Sequence, residues 1–480
     1  MTSLLTAQHP YFVGIKGVAQ TALAACLIAA GKVVRGCDVA EEFVTQPQLV
    51  RLGITIDDGF SHSLPKNTDC VIFTSAHGAH TNPLVVAAQN TGIFCLSHAQ
   101  ALSELFNATQ GIAVCGVGGK STTSAMLAWI SQSLNLNWSY AVGVGEIIGL
   151  ETTGAWDATS AYFIAEADEY VIDPMAPEKG EEIIPRFSYL HPQITLCTNL
   201  QFDHPDVYTN FDHTKQVFLD FFLQIKKNGT LIINADDVNL VTLAQKIVLQ
   251  RPDITILSYG VAADASLQLK STQAHLGSTQ GLFLFEGKEI ALSLPIPGEY
   301  NLFNAAGAFL AAHACGINSA QIAASLAHFH STQRRIEYRG QFNAADFYDD
   351  YAHHPHEITQ LLKALRSWYP QHRLVIAFQP HTFSRTKALL ADFAESLAAA
   401  DQVELLKIFS SAREKYDPTV SIEVLAAAVK VHAPEKRITC HQTIHELALS
   451  LERQARPNTC IVTVGAGDIY QVYQELNVSK

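Results

Sequence analysis

The stretch from Gly111 to Ile130 constrains the fold of this chain more than any other. An apolar run, Gly111-Ile112-Ala113-Val114-Cys115, enters the turn Gly116-Val117-Gly118-Gly119. Lys120-Ser121-Thr122-Thr123 then opens the helix-compatible run Ser124–Ile130. Strand, glycine turn, Lys-Ser and helix, in that order, make a cradle for a nucleoside triphosphate. Glycines let backbone N–H groups turn inward to phosphate oxygens, and the helix N-terminus adds positive potential. Lys120 reaches the outer phosphates, and the Ser121 hydroxyl is a ligand for Mg²⁺. The spacing is shorter than GxxxxGK[ST], since position 114 is Val. Read alone, the stretch also fits an ordinary glycine-rich strand–helix turn.

Three segments each restart an alternation of short apolar strands and amphipathic helices, the α/β pattern. The first has strand Tyr11–Ile15, helix Ala19–Ala30, strand Lys32–Gly36 and Asp38, then strands Cys70–Thr74 and Ile93–Leu96. Its order is Rossmann-like, but the turn Gly14-Ile15-Lys16-Gly17-Val18-Ala19 is not GxGxxG, and a plain βαβ turn fits it as well. The second runs from the glycine turn through strands at 161–165, 193–198 and 230–234, a strand-rich insertion at 260–296, and Ala-rich helices to about His330. The third carries strands at 347–348, 373–378, 402–408 and 460–464, with helices Glu357–Trp368 and Lys387–Ala400 between them. The expected class is therefore α/β in three domains, at residues 1–108, 109–331 and 332–480. The first is Rossmann-like. The second is a P-loop ATPase-type parallel sheet with a small antiparallel insertion, and the third is again Rossmann-like.

A length of 480 residues suits two or three cores, and a net charge of −13 speaks against nucleic acid as a main partner. The nine cysteines include no CxxC pair, so reduced thiols in a cytoplasmic protein are expected. The longest early apolar run, Ala22–Ala30, is too short to cross a bilayer, and no membrane partner is expected.

Five constellations carry further chemistry. Glu166-Ala167-Asp168-Glu169 places three carboxylates after a strand, at the rim where α/β sheets bind ligands. They suit Mg²⁺ through oxygen ligands, or are a solvated acidic loop. Thr198–His204 also follows a strand. Asp203 and His204 either complete a metal site or make a loop hydrogen bond. Asn301 and Asn304, three apart before an Ala-rich helix, offer paired amides to an adenine or cap the helix. Asp349–Pro355 and Phe378–Thr386 end strands in the third segment, with His381 and Arg385 placed to meet an anion.

In order and spacing these motifs resemble the Mur ligases of peptidoglycan synthesis, from end to end of the chain. The matching features are GxxGK[ST]TT at 116–123, EADE at 166–169, TNxxxDH at 198–204, NxxN at 301–304, DDYAHHP at 349–355, FQPHxxSRT at 378–386 and GAGDIY at 465–470. The resemblance implies a UDP-sugar domain, a central ATP domain and a C-terminal domain for the incoming amino acid. It implies an ATP-dependent ligase acting on UDP-N-acetylmuramate with L-alanine or a similar amino acid, through an acyl phosphate, as a monomer or homodimer. The loop residues Gly116, Gly119, Lys120, Ser121 and Thr122 would hold the phosphates, with Lys120, Glu166 and His204 catalytic. Ser121 and Glu166 would hold Mg²⁺, and His204 would serve a second metal position. Asn301 and Asn304 match adenine-binding positions. Arg335 and Asp350 match positions that bring the third domain onto ATP. Tyr351, His353, His381 and Arg385 match those around the acceptor.

The chain departs from the family pattern at four places. Gly118 stands where the family usually has His, and Ser121 where it has Thr. Gly14-Ile15-Lys16-Gly17 replaces the start of GxGGxGMSG, and Thr382 replaces an Arg beside the acceptor. Two alternatives follow: a ligase of the same nucleotide sugar with a recycled tripeptide as acceptor, and a non-catalytic nucleotide or UDP-sugar binder.

Overall fold

The computed structural model describes residues 3–176, 180–204, 207–410, 416–476 and 478. It contains three sheets. The first has strands β1 (Pro10–Val13), β2 (Arg35–Asp38), β3 (Thr55–Asp58), β4 (Cys70–Phe73) and β5 (Phe94–Ser97), in the order β3-β2-β1-β4-β5. All its pairings are parallel.

The second sheet has ten strands. These are β6 (Gln110–Cys115), β7 (Trp138–Ala141), β8 (Gly154–Ala155), β9 (Tyr162–Glu166), β10 (Ile194–Cys197), β11 (Thr230–Asn234), β12 (Thr255–Gly260), β13 (Leu267–His275), β14 (Ser278–Phe285) and β15 (Lys288–Leu294). Their order is β15-β14-β13-β12-β11-β10-β6-β9-β7-β8. The parallel block β12-β11-β10-β6-β9-β7 forms its centre. Two-residue turns, Leu276-Gly277 and Glu286-Gly287, join β13 to β14 and β14 to β15, so these neighbours run antiparallel as the expected insertion.

The third sheet has strands β16 (Glu337–Phe342), β17 (Ala345–Asp350), β18 (Arg373–Phe378), β19 (Gln402–Leu406), β20 (Arg437–His441) and β21 (Thr459–Val464), in the order β16-β17-β21-β18-β19-β20. Only β16 runs antiparallel to its neighbour.

Central strands form where the sequence is continuously apolar, because a parallel strand covered by helices is buried on both faces. Strands β4, β18 and β21 are nearly or wholly buried along their length. Helix starts are written locally. Ser97 and Gln100 form a reciprocal capping box at the helix His98–Asn107. Pro355 opens the helix Pro355–Trp368, with Glu357 returning to the backbone of the capping His354.

Packing divides the chain into two units: Met1–Ser271 with Gly281–Ser293 and Leu302–Thr332, and Thr272–Gln280 with Leu294–Asn301 and Gln333–Lys480. Within the first unit the first two sheets share one core, which joins Phe12, Leu23 and Leu105 to Ala113, Phe163 and Phe222. The helix Val18–Ala29 lies against the edge of the second sheet. A Cβ at Gly154 would sit 2.0 Å from the Ala22 carbonyl oxygen, so only glycine admits this approach. In the second unit two apolar clusters fill the two faces of the third sheet, one around Leu361, Phe378 and Leu397, the other around Phe347, Leu447 and Ile461.

Candidate active site

Strand order alone brings the central motifs together. The glycine loop leaves β6, and the neighbours of β6 are β9 and β10, in register at Val114↔Glu166 and Cys115↔Cys197. Three parallel neighbours end at one rim, so their outgoing loops meet there. Gly116 (φ +120°) and Gly119 (φ +84°) take backbone conformations that favour glycine. Side chains would also collide there: a Cβ at Gly116 would stand 2.3 Å from Thr198 Oγ1, and one at Gly119 2.5 Å from Asn304 Oδ1. Gly118 differs, because its Cβ would meet only Asn199 Nδ2, at an ordinary 3.5 Å. The loop after β10 pins the cradle. Asn199 Oδ1 accepts from the backbone N–H of Val117 and Gly118, both at 3.0 Å, and its Nδ2 donates to the Gly118 carbonyl at 2.9 Å.

The three carboxylates after β9 separate to three partners. Glu166 Oε1 accepts from the Ser121 hydroxyl at 3.0 Å. Asp168 pairs with Arg186 at 2.5 Å. Glu169, only 2% exposed, takes the Lys120 amine on both oxygens at 3.0 and 2.8 Å. Lys120 also donates to the Gly116 carbonyl at 2.6 Å. Burial works against its charge, but Glu169, Asp168 and Glu166 outweigh burial and hold its pKa above the ordinary value.

His204, in a left-handed conformation at φ +59°, brings Nε2 to 3.6 Å from Glu169 Oε1 and 3.7 Å from Asp203 Oδ2. Burial lowers its affinity for a proton, but the Glu169 hydrogen bond and Asp203 raise it further, with a net upward shift. One ligand atom from each of Glu169, Asp203 and His204 lies within 4.8 Å of the others. Of the residues expected to hold metal, Ser121 and Glu166 are thus in contact, whereas His204 groups with Glu169 and Asp203. Glu169 and Asp203 were candidates only as members of the acidic and Asp-His motifs, and Asn199 and Arg186 are the site residues to which sequence reasoning gave no role. Their signal was position in the strand-end motifs, except for Arg186, which lies in none.

Thr122 is buried in the first turn of the helix Lys120–Ser133. Asn301 and Asn304 lie on the helix Glu299–Ala314. Asn301 Nδ2 donates to the Pro297 carbonyl at 2.8 Å, and Asn304 sits against Gly119.

In the second unit the same rule gathers another cluster. Strands β17, β21 and β18 are adjacent and end in register at Asp350↔Val464↔Phe378. Asp350 accepts from the backbone N–H of Ile336 and Ala352, both at 2.7 Å, and burial pushes its carboxyl up to about 6 against the opposing pull of Arg335. Arg335 lies over the Tyr351 ring, 5.2 Å from its centroid. His353 Nδ1 is 3.1 Å from the Tyr351 carbonyl, and burial lowers its pKa. Arg385 donates to the His381 carbonyl at 3.2 Å, and Thr382 exchanges a hydrogen bond with Ser384 at 3.0 Å. The neighbouring Arg334, absent from the expected set, is buried on Asp349 at 3.0 Å and is structural.

A glycine cradle with a carboxylate-held lysine, a Ser–Glu pair and a Glu-Asp-His cluster that could hold a metal ion, all on one rim of a parallel sheet, defines an α/β protein of phosphate-loop geometry. Family comparison is more specific. Residues 9–110 match the Mur ligase family catalytic domain, 114–312 the Mur ligase middle domain and 334–467 the Mur ligase glutamate ligase domain. The UDP-N-acetylmuramate–L-alanine ligase of Desulfitobacterium hafniense is 32% identical over 98% of this chain and 99% of its own. The protein of the same name from Kineococcus radiotolerans is 34% identical over 97% of this chain and 95% of its own. The crystal structure of the UDP-N-acetylmuramate-alanine ligase of Thermotoga maritima has the same fold, with a TM-score of 0.78, 23% identity and 97% of both chains covered. The chain belongs to the Mur ligase family, and it is a ligase.

Proposed function

We propose that the chain joins L-alanine, or a similarly small amino acid, to the carboxylate of UDP-N-acetylmuramate at the expense of ATP. What carries the reading is the convergence of Lys120, Ser121 and Glu166 at one strand edge, in a chain that matches relatives of that name end to end. The reaction fits these groups. A carboxylate is a poor electrophile, so its oxygen attacks the γ-phosphorus and ADP leaves. The amine then attacks the acyl phosphate carbon, and phosphate departs while the amine loses its proton.

Lys120 stabilises charge on the phosphoryl group in transfer. The backbone N–H groups of Gly119–Ser121 orient the phosphates. Mg²⁺ supplies charge neutralisation at the phosphate oxygens when bound. The donor sets suit it, being chiefly oxygens: Ser121 with Glu166 at one position, and Glu169 with Asp203 and the imidazole of His204 at another. Asn301 and Asn304 are assigned to the adenine, Arg335 and Asp350 to ATP from the third domain, and Tyr351, His353, His381 and Arg385 to the acceptor. Domain boundaries at 108/109 and 331/332 follow the same reading. All nine cysteines are free thiols, which suits the proposed cytoplasmic location. Among the described residues no helix is long and apolar enough to cross a membrane.

The test is phosphate release from ATP with UDP-N-acetylmuramate and a panel of acceptors. Stimulation by L-alanine or another small amino acid is the expected result. Stimulation by tripeptide alone refutes the acceptor assignment, and nucleotide-sugar binding without turnover refutes the enzyme.

A further inference from the structure

Within the first unit, a cavity of about 180 Å³ lies at the C-terminal ends of β1, β4 and β5. Its polar lining comprises Thr74, Ser75, Ser97, His98 and Arg186, together with Gln20 in the first turn of the helix Val18–Ala29. The first five are already engaged. Thr74 accepts from the Ala76 N–H, and Ser97 pairs with Gln100. His98 meets the Ala19 carbonyl, and Arg186 spans Ser75 and Asp168. Gln20 is the exception. It is 2% exposed, and neither its Nε2 nor its Oε1 has a hydrogen-bond partner. A buried carboxamide unmatched at both ends is costly, and it persists where something else supplies the partners.

The chemistry of that partner is restricted. A phosphate oxygen only accepts, which leaves Oε1 unmatched, and a single hydroxyl meets one end of the carboxamide at a time. An amide carries both a donor and an acceptor and can match either end, and an imide edge, whose N–H and C=O lie side by side, pairs with both at once. A second cavity, of about 200 Å³, shares Val18, Ala19, His98, Ala99 and Arg186 with the first and extends to Glu166, the Ser121 partner. A ligand whose carboxylate reaches the phosphate-loop rim can therefore extend through this region.

Resting on the function proposed above, we infer that Gln20 is a specificity-determining residue that reads an amide of the nucleotide sugar. Two groups of that substrate have this chemistry: the acetamido substituent of the sugar and the imide edge of the uracil.

The test is calorimetric titration without ATP, on the wild type and Gln20→Met, with three ligands: UDP-N-acetylmuramate, its de-acetylated 2-amino analogue, and UDP. Gln20→Met is expected to weaken UDP-N-acetylmuramate binding about tenfold or more. If the acetamide is read, the other two ligands bind both proteins alike. If the imide is read, all three weaken together. The ligand-free variant is expected to melt at a higher temperature, because an unmatched buried amide has been replaced by an apolar side chain of similar length. Wild-type affinity of the variant for all three ligands overturns the inference and leaves the proposed function standing. A lowered melting temperature makes Gln20 structural and also overturns it. Failure of the wild type to bind any of the three removes both readings.

Discussion

Lys120 carries two burdens that a double-mutant cycle separates. It is 12% exposed and bridges to a Glu169 carboxylate that is 2% exposed. Lys120→Met removes one partner and leaves the other charge buried, a change that costs about 3–5 kcal/mol when nothing compensates. His204 Nε2, 3.6 Å from Glu169 Oε1, compensates in part, which places the expected loss near the lower end, about 3 kcal/mol. Glu169→Gln keeps an acceptor for the lysine, which also retains the Gly116 carbonyl at 2.6 Å and the field of Glu166 and Asp168. That variant is expected to lose only about 1–2 kcal/mol. In Lys120→Met/Glu169→Gln neither buried charge remains, so the double variant should be more stable than Lys120→Met alone by about 1–2 kcal/mol. Urea unfolding followed by tryptophan fluorescence reads this series. Phosphate release reads the other burden, and it should be abolished in both variants lacking the lysine, whatever their stability. Unchanged stability of Lys120→Met, or equal stability of the single and double variants, would refute the ion-pair argument. Turnover in Lys120→Met would refute the phosphate-loop assignment.

Two further perturbations follow from the same geometry. Gly118→His should fold with a stability change within about 0.5 kcal/mol, because its Cβ meets only ordinary contact. Gly116→Ala combines φ +120° with a 2.3 Å collision and should lose more than about 2 kcal/mol by urea titration. Asp350 is a carboxyl raised from 3.8 to about 6 by burial, so the folded state binds its proton more tightly than the unfolded state. Its contribution is greatest below the unfolded value and is lost as pH rises through about 6, a change of roughly 3 kcal/mol. Unfolding free energies measured between pH 4 and 7.5 should show this loss in the wild type and a flatter profile in Asp350→Asn; parallel profiles would contradict it.

The sequence made the sheet interiors legible because buried parallel strands are written as continuous apolar runs. Two of the edge strands are not. Strand β3 is Thr-Ile-Asp-Asp, with no fully buried residue, and β20 is Arg-Ile-Thr-Cys-His, so neither announces itself. The phosphate loop was legible because glycine conformations and the Lys-Ser pair are local. The fates of the acids after β9 were not local. Their partners lie 45, 18 and 49 residues away in the chain, at Ser121, Arg186 and Lys120. Sequence order put three carboxylates into four residues, and only the strand order β9-β6-β10 decided which one faces the lysine. The grouping of His204 with Glu169 depends likewise on a left-handed backbone at 204 that no residue type there demands.

The two lysines in strand–turn–helix turns make the limit concrete. Lys16 and Lys120 each follow a central parallel strand and precede a helix, so the two turns share an outline. Lys16 is 6% exposed, and its Nζ donates to the carbonyls of Val39 and Glu41, both at 2.7 Å, beyond the end of β2. Its backbone N–H is taken by Asp38 at 2.7 Å. Turning Lys16 to a ligand would break all its side-chain bonds and bare two carbonyls, whereas Lys120, though it also meets the Gly116 carbonyl, is held chiefly by a carboxylate that a second cation can take over. The first lysine therefore ties a turn to its neighbouring strand, where the family has a glycine. Gln20, four residues on, differs in kind: it is buried, and both ends of its carboxamide lack a hydrogen-bond partner.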